Sequence, residues 1–180
     1  MKLDYNFKKK TIIFARTNGA NIFEPVAKSL AHLNFAYAEL QQNAGVKISS
    51  EAQRPKQKIM DNLSTISVSP NKPEEILAIR VVCQQGEMRA VRPTKIDLKL
   101  TGFDNTIYLI DIKTTKPHSI VFKEFKRTLL VWVAIILAIY PTINIQTLIA
   151  IPYNPCEPNP YYLYKIWGML DLNTYFGKFT

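Results

Sequence analysis

Apolar residues recur at helical spacing in residues 22–43, with an apolar side chain at every third or fourth position. This spacing predicts a first helix over 22–43, and Gly45 can end it. A second helical pattern begins at Ser119, a candidate N-cap, and closes at Pro141. Its longest apolar run, "LLVWVAIILAIY", has twelve residues, whereas a membrane-spanning helix needs about 20. The run therefore predicts a core helix rather than a transmembrane anchor.

Between these helical patterns, "TKIDLKLT" (94–101) and "IYLIDIKTT" (107–115) alternate apolar and polar residues. The intervening "GFDN" has turn chemistry, so the three segments together predict a β-hairpin. After the second helical pattern, "NIQTLIAIPYNP" (144–155) predicts a further strand, which leads into a segment rich in Pro and Tyr.

Residues 46–86 give less regular signals. "AQRPKQK" (52–58) predicts a basic, proline-interrupted loop. "KPEEILAIRVVCQQG" (72–86) predicts a short helix with Pro73 and two glutamates in its first turn, although its Ile and Val residues leave a strand open. The order helix, hairpin, helix, strand predicts an α/β fold in a single domain over residues 1–180, with a mixed central β-sheet flanked by helices.

The second strand of the hairpin carries charges where a buried strand would carry apolar side chains. Residues two apart on a strand share a face, so Asp111 and Lys113 point the same way. If the turn is centred on Asp104, Asp97 lies directly opposite Asp111, with their Cβ atoms about 4.5–5.5 Å apart. A one-residue bulge would change this register. The alternative is an edge strand with a wet outer face, on which Asp111 and Lys113 form a weak surface pair.

Two carboxylates at that separation are destabilising unless a cation or a proton lies between them. Hard oxygen ligands with room for waters and a substrate phosphate are typical of a magnesium site, so Asp97 and Asp111 are candidate metal ligands. Lys113 would reach the same spot, where it could orient or activate an attacking water and stabilise a pentacovalent phosphate. Asp104 is the competing first acid, but its place in the turn favours turn chemistry.

Composition and charge fit such a site. The 180 residues are 47% hydrophobic and 21% charged, which is typical of a folded soluble protein. The net charge is +9, yet residues 61–120 hold seven of the 14 acidic residues. A basic chain suits a polyanionic partner, nucleic acid first, and a metal site that faces phosphates needs an acidic cluster within it. Two cysteines are too few for a disulfide scaffold and no signal peptide opens the chain, so we expect a cytoplasmic protein.

The hairpin "PTKIDLKLTGFDNTIYLIDIKT" resembles the PD-(D/E)XK nuclease pattern, an acid on one strand followed by acid-X-Lys on the next. Asp97 matches the first acid, and Asp111, Ile112 and Lys113 match the second motif, although Ile96 precedes Asp97 where the pattern has Pro.

Two longer segments, "DIKTTKPHSIVFKEFKRTLLVWVA" and "AIPYNPCEPNPY", resemble the TdeIII-like family of type II restriction endonucleases. The resemblance implies Mg²⁺-dependent cleavage of double-stranded DNA at a short specific sequence, which leaves 5′-phosphate ends. It also implies a metal held by Asp97, Asp111 and the Ile112 carbonyl, with Asp97, Asp111 and Lys113 as the catalytic residues. We expect a homodimer, because two-fold symmetry places one centre on each strand, and a cognate DNA methyltransferase as functional partner. We expect relatives to continue beyond the final "LDLNTYFGKFT", so the chain would be a C-terminally shortened form.

Nucleases of this class often add an acid from a helix to the metal site, which makes Glu24 the first and Glu39 the second candidate on the predicted first helix. A solvated helix glutamate is the alternative for either residue. His32 and His118 show no zinc-ligand spacing with the two cysteines, which disfavours a nuclease with a histidine base.

Basic residues follow the predicted site, and they are candidate contacts to nucleic acid: Lys116, Lys123, Lys126 and Arg127. The last three share one helical face, for which a solvated basic face is the alternative. Lys56 and Lys58 of the "AQRPKQK" loop are further candidates, and this loop and the tyrosines of 161–164 are candidate dimer surfaces. Two rival functions stay open: a repair or junction-resolving nuclease with the same core, and a non-catalytic DNA-binding remnant of a restriction enzyme.

Overall fold

The computed structural model describes residues 22–113, 119–151 and 169 of the chain. In chain order, the helices and strands are α1 (Glu24–Ala31), β1 (Tyr37–Asn43), β2 (Lys47–Ser49), α2 (Gln53–Ser64), α3 (Lys72–Arg80), β3 (Met88–Ala90), β4 (Lys95–Thr101), β5 (Ile107–Ile112), α4 (Ser119–Ile139) and β6 (Ile145–Ala150). Four strands form a sheet in the order β1-β4-β5-β6, and β2 pairs with β3. In the larger sheet β5 and β6 run parallel and the other neighbours antiparallel. The predicted α/β fold with a mixed central sheet flanked by helices is therefore confirmed.

Helix α4 forms the main core against β5 and β6. Its apolar run is buried, with Trp132 and Ile135 fully inaccessible beside Leu109 of β5 and Ile145 of β6. Fully burying a side chain of this size stabilises the fold by roughly 1.5–3 kcal/mol. The predicted core helix is confirmed, and within the described residues no helix is long and apolar enough to cross a membrane.

The predicted first helix over 22–43 is wrong in its second half. Helix α1 ends at Ala31, and the chain then enters β1, whose Ala38 packs with Leu98 and Leu100 of β4. The apolar positions that suggested a longer helix are not its buried face, since Leu33 is 83% exposed. Pairing with the free side of β4 satisfies the backbone of 37–43, and such tertiary pairing outweighs a local helical pattern. Gly45 therefore does not end a helix.

The predicted loop "AQRPKQK" is also wrong, because it forms the start of α2. Pro55 lies in the first turn, where its missing N–H has no intrahelical partner to lose. Met60 and Leu63 of α2 are buried, and so is Lys56, whereas Lys58 is exposed. Helix α3 confirms the helical alternative for its segment, and the Asn71 side chain caps it by accepting the Glu74 N–H at 3.3 Å.

The hairpin has the predicted register. Leu98 pairs with Ile110 and Lys99 with Leu109, which places the centre of the turn at Asp104. Asp104 closes the turn by accepting the Thr106 N–H at 3.0 Å, as expected of turn chemistry. The second strand lies between β4 and β6, so the alternative of a wet edge strand is wrong.

Candidate active site

Strands β4 and β5 separate at the open end of the hairpin. Their last paired position joins Leu98 to Ile110, while β4 continues to pair with β1 through Lys95. Beyond this point the Ile112 N–H donates to Asp97 Oδ2 at 2.8 Å, so a side chain takes the place of a strand carbonyl. The Lys113 N–H donates to the Ala150 carbonyl of β6 at 2.8 Å. The first acid is thus fixed against the main chain of the acid-X-Lys motif.

Asp111 occupies the buried side of this opening and is only 7% exposed. Burial is the main reason that the pKa of Asp111 rises to about 6; a hydrogen bond with Asp97 and the negative charge of Asp97 act in the same direction, and Lys113 opposes them. Lys113 Nζ lies 2.6 Å from Asp111 Oδ1, and its side chain keeps 32% of its surface exposed. The structure therefore brings together the three side chains that the sequence placed in one site.

The two carboxylates fit a hard divalent cation. Their mutual contact raises the pKa of Asp111, and a cation between them would favour the charged form of both. Ile112, whose carbonyl is the predicted third ligand, is tied to Asp97 through its own N–H. Within the described part of the chain, no group of three or more His, Cys, Asp or Glu residues lies together. Among the described residues, the candidate metal ligands at this opening are therefore the carboxylate pair and main-chain oxygen.

Glu24 of α1 is linked to strand β1, which is the neighbour of β4 and its Asp97. Its carboxylate is 5% exposed and accepts a hydrogen bond from the Gln41 amide. The register of β1 and β4 sets Gln41 opposite Asp97, and Gln41 has a φ of 55°, which is strained for a residue with a side chain. Glu39, the second candidate helical acid, lies instead on strand β1 and forms a partly exposed ion pair with Lys99 at 3.0 Å. The helical placement predicted for Glu39 is wrong.

The predicted basic face on α4 is reduced by burial. Lys123 and Arg127 are exposed, and Arg127 pairs with Glu124. Lys126 is 4% exposed and pairs with Glu75 of α3, so it does not share their surface. Helical spacing correctly predicts neighbours along α4, but the packing of α3 against it decides which of them meet solvent.

Lys56, a predicted contact to nucleic acid, is buried, and several other predicted residues lie outside the described part of the chain. Burial, with the positive charge of Arg127, lowers the pKa of Lys56, so this residue is no surface loop lysine. Lys116, His118 and the tyrosines of 161–164 lie outside the described residues.

Sequence reasoning missed one neighbour of the site, Phe125 of α4. Lys113 Nζ lies 5.0 Å from the centre of the Phe125 ring. The only hint in the sequence is that Phe122 and Phe125 are three residues apart and so share a helical face. Nothing in that spacing indicates that the face meets the end of β5.

Comparison with known proteins identifies a family for the chain. The model of the family described as "Type II restriction endonuclease, HinfI" matches residues 14–178. No curated protein and no solved structure matches the chain significantly. The match confirms the expected class, a type II restriction endonuclease, and it names HinfI where the sequence resemblance had named the TdeIII-like family.

Proposed function

The chain belongs to the HinfI family of type II restriction endonucleases, and from that premise we propose that it uses Mg²⁺ to hydrolyse double-stranded DNA at a short specific sequence. The observation that supports the metal dependence is the contact between Asp97 and Asp111 beside Lys113. A buried carboxylate (Asp111) with a partly exposed one (Asp97) next to a lysine has little use in a passive DNA-binding surface, whereas metal-assisted phosphodiester hydrolysis needs both the acids and the lysine.

Each residue of the site has a separate task in this proposal. Asp97, Asp111 and the Ile112 carbonyl would hold the metal, which would supply Lewis-acid polarisation of the scissile phosphate. Lys113 orients the water for in-line attack and stabilises the negative charge that builds up on the phosphate oxygens. The bond from phosphorus to the 3′ oxygen breaks, so the products carry 5′-phosphate and 3′-hydroxyl ends. The hydrogen bond from the Ile112 N–H holds the Asp97 carboxylate at the end of the hairpin where β4 and β5 separate.

Basic residues that follow the catalytic strand in sequence would hold the DNA backbone. Lys123 lies near the start of α4, the helix that follows the catalytic strand, and Arg127 lies one turn further on. Lys116, between these two elements in sequence, keeps its predicted role as a backbone contact. Their lysine and arginine heads would displace condensed counterions from DNA, which makes binding dependent on salt.

The proposed enzyme acts as a homodimer on a palindromic site, since two-fold symmetry then delivers one centre to each strand. It works in the cytoplasm beside a cognate DNA methyltransferase, which protects the host sequence. Within this class of enzymes, the chain would also be related to the TdeIII-like family.

Plasmid cleavage tests the proposal directly. We expect wild-type protein with Mg²⁺ to give discrete bands with 5′-phosphate ends, and Asp111→Asn protein to leave the plasmid intact. Nicks that depend on DNA structure would indicate a repair or junction-resolving nuclease instead. An intact plasmid with a gel shift would indicate a non-catalytic remnant.

A second measurement tests the metal site without cleavage. Ca²⁺ should raise the melting temperature of the wild-type protein, because a ligand that binds only the folded state stabilises it. The Asp97→Asn/Asp111→Asn double variant should show no such rise. An equal rise in both proteins would place the cation elsewhere.

A further inference from the structure

The Phe125 ring lies over the ammonium group of Lys113 at 5.0 Å from ring centre to Nζ. This separation is within the range in which a lysine cation is attracted to the face of an aromatic ring. We infer that Phe125 is a positioning residue that holds Lys113 Nζ at the carboxylate pair. The inference rests on the proposed function, since it gives Phe125 a part in the same site.

The ring is itself held in place by the protein core. Phe122 meets Phe125 edge-on, with ring centres 5.6 Å apart and planes at 82°. Phe122 is 1% exposed and packs in one cluster with Leu63 of α2 and Met169. Phe125 is partly buried against this cluster. A ring anchored on one side in this way can present a fixed face to the lysine on the other.

Lys113 needs such a hold because its side chain is long and partly exposed. Its main chain is fixed by the hydrogen bond to Ala150, but four rotatable bonds separate that anchor from Nζ. Among the described residues, Nζ also contacts Asp111 Oδ1, at 2.6 Å. In the proposed function Asp111 also holds the metal, so its negative charge is shared with a second cation. The ring is no metal ligand, and its attraction for Nζ does not depend on that sharing.

The contact between Phe125 and Lys113 joins two parts of the site that come from different elements of the fold. Asp97 and Asp111 belong to the sheet, and their placement follows from the hairpin register. Phe125 belongs to α4, which packs on the sheet from a different part of the chain. The ring thereby links the orientation of α4 to the position of the lysine, and small displacements of a reacting group reduce rates strongly.

Two variants of Phe125 distinguish the effect of the aromatic ring from that of an apolar side chain. Phe125→Leu keeps an apolar side chain but removes the ring face, whereas Phe125→Tyr keeps the face. We expect Phe125→Leu to lower kcat about fivefold with KM for DNA unchanged, and Phe125→Tyr to retain the wild-type kcat. Phe35→Leu is the matched control, because Phe35 makes a similar edge-on contact, to Tyr108 at 5.3 Å, without touching Lys113. Its kcat should equal that of the wild type.

Equal kcat values for the Phe125→Leu and wild-type proteins would overturn the inference, and so would an equal loss in Phe125→Tyr and Phe125→Leu. A wild-type protein that cuts no DNA would instead contradict the proposed function. The placement of Lys113 is then still measurable in the metal-free protein by NMR of labelled lysines. The ε-methylene protons of Lys113, assigned with Lys113→Arg, should shift upfield under the ring and lose that shift in Phe125→Leu. No upfield shift in the wild type would also overturn the inference.

Discussion

Two lysine–carboxylate pairs in this protein have the same chemistry and opposite surroundings. Lys126 and Glu75 join α4 to α3, with side chains 4% and 9% exposed. Lys113 and Asp111 lie on neighbouring positions of one strand face, with side chains 32% and 11% exposed. In the first pair, the carboxylate of Glu75 is opposed by two positive charges, those of Lys126 and Lys72. The second pair has a surplus carboxylate, Asp97, in contact with Asp111.

The Lys126–Glu75 pair, which we call the closed pair, supports the fold. The Lys113–Asp111 pair, which we call the open pair, is accessible to a cation and a substrate. Burial raises the pKa of Glu75, but Lys126 opposes this rise by its charge and hydrogen bond. For Asp111, burial and Asp97 both raise the pKa, and Lys113 only partly compensates. A buried pair that is closed to solvent holds helices together. An open pair with an uncompensated acid can take up a cation and a substrate, and perturbed acids of this kind are typical of functional sites.

The largest expected effect is on DNA cleavage, for which the open pair of Lys113 and Asp111 should be essential. Asp111→Asn and Lys113→Ala should each lower the cleavage rate at least about a hundredfold, because each removes a group acting on the transition state. Both variants should remain folded, with unchanged far-UV circular dichroism. Asp61→Asn, a change at an exposed acid on α2, serves as the control and should cut like the wild type. Cleavage by Asp111→Asn within a few fold of the wild type would remove Asp111 from the site.

Substitutions in the closed pair of Lys126 and Glu75 should lower the stability of the protein and leave its cleavage rate unchanged. Lys126→Ala removes the hydrogen-bonded partner of the buried Glu75 and leaves the charge of Lys72 to oppose it, so we expect a loss of about 3 kcal/mol in the free energy of unfolding, the lower end of the range for a broken buried pair. Denaturant titration measures this loss. The double variant Glu75→Leu/Lys126→Met, which removes both charges, should recover most of the stability and cut DNA at the wild-type rate. A double variant that folds but does not cut would mean that this pair also serves the reaction.

The sequence was sufficient for the open pair because its geometry is local. Two period-two segments and a "GFDN" turn specify the hairpin register, and a register error would have moved every apolar side chain of β5 to the wrong face. That register brings Asp97 and Asp111 to the end of the paired region, where the strands separate beyond Leu98 and Ile110 and Asp97 accepts the Ile112 N–H. Asp104 could be set aside in the same way, since its side chain caps the turn.

The closed pair could not be predicted, because its partners are 51 residues apart and meet only through the packing of two helices. The same reason accounts for the burial of Lys56 and for the contact of Phe125 with Lys113. The first helix failed differently: residues 37–43 carry a helical pattern, but β4 offers them a strand partner. Pattern and propensity describe a segment, whereas long-range partners decide between its possible structures.

The pH dependence of stability sharpens the contrast between the two acids. Asp111 has a pKa of about 6 in the folded protein, against an ordinary value of 3.8 for an aspartate. The folded state therefore keeps this proton over a pH range where the unfolded state has lost it, and stability falls as pH rises from about 4 to above 6. The difference corresponds to about 3 kcal/mol.

Asp111→Asn cannot lose that proton, so its free energy of unfolding relative to the wild type should rise across the same range, measured without divalent cations. The raised pKa of Glu75 gives a slope of the same sign, but that slope is common to both proteins and cancels in the difference. A difference that does not vary with pH would mean that Asp111 is not under the combined influence of burial and Asp97.

The smallest expected effect concerns two lysines of α4 that differ in exposure and in pairing. Lys123 is exposed and free to meet a phosphate in the proposed complex, whereas Lys126 is buried against Glu75. Lys123→Ala should therefore weaken binding to every DNA sequence alike, and the slope of log K against log salt should flatten by about one. The Glu75→Leu/Lys126→Met variant should keep the wild-type slope, because a buried lysine releases no counterion from DNA. Fluorescence anisotropy in Ca²⁺ over a series of salt concentrations measures both slopes. An unchanged slope in Lys123→Ala would show that this face of α4 stays in solvent, and exposed Lys58 of α2 would then be the better candidate for the backbone contact.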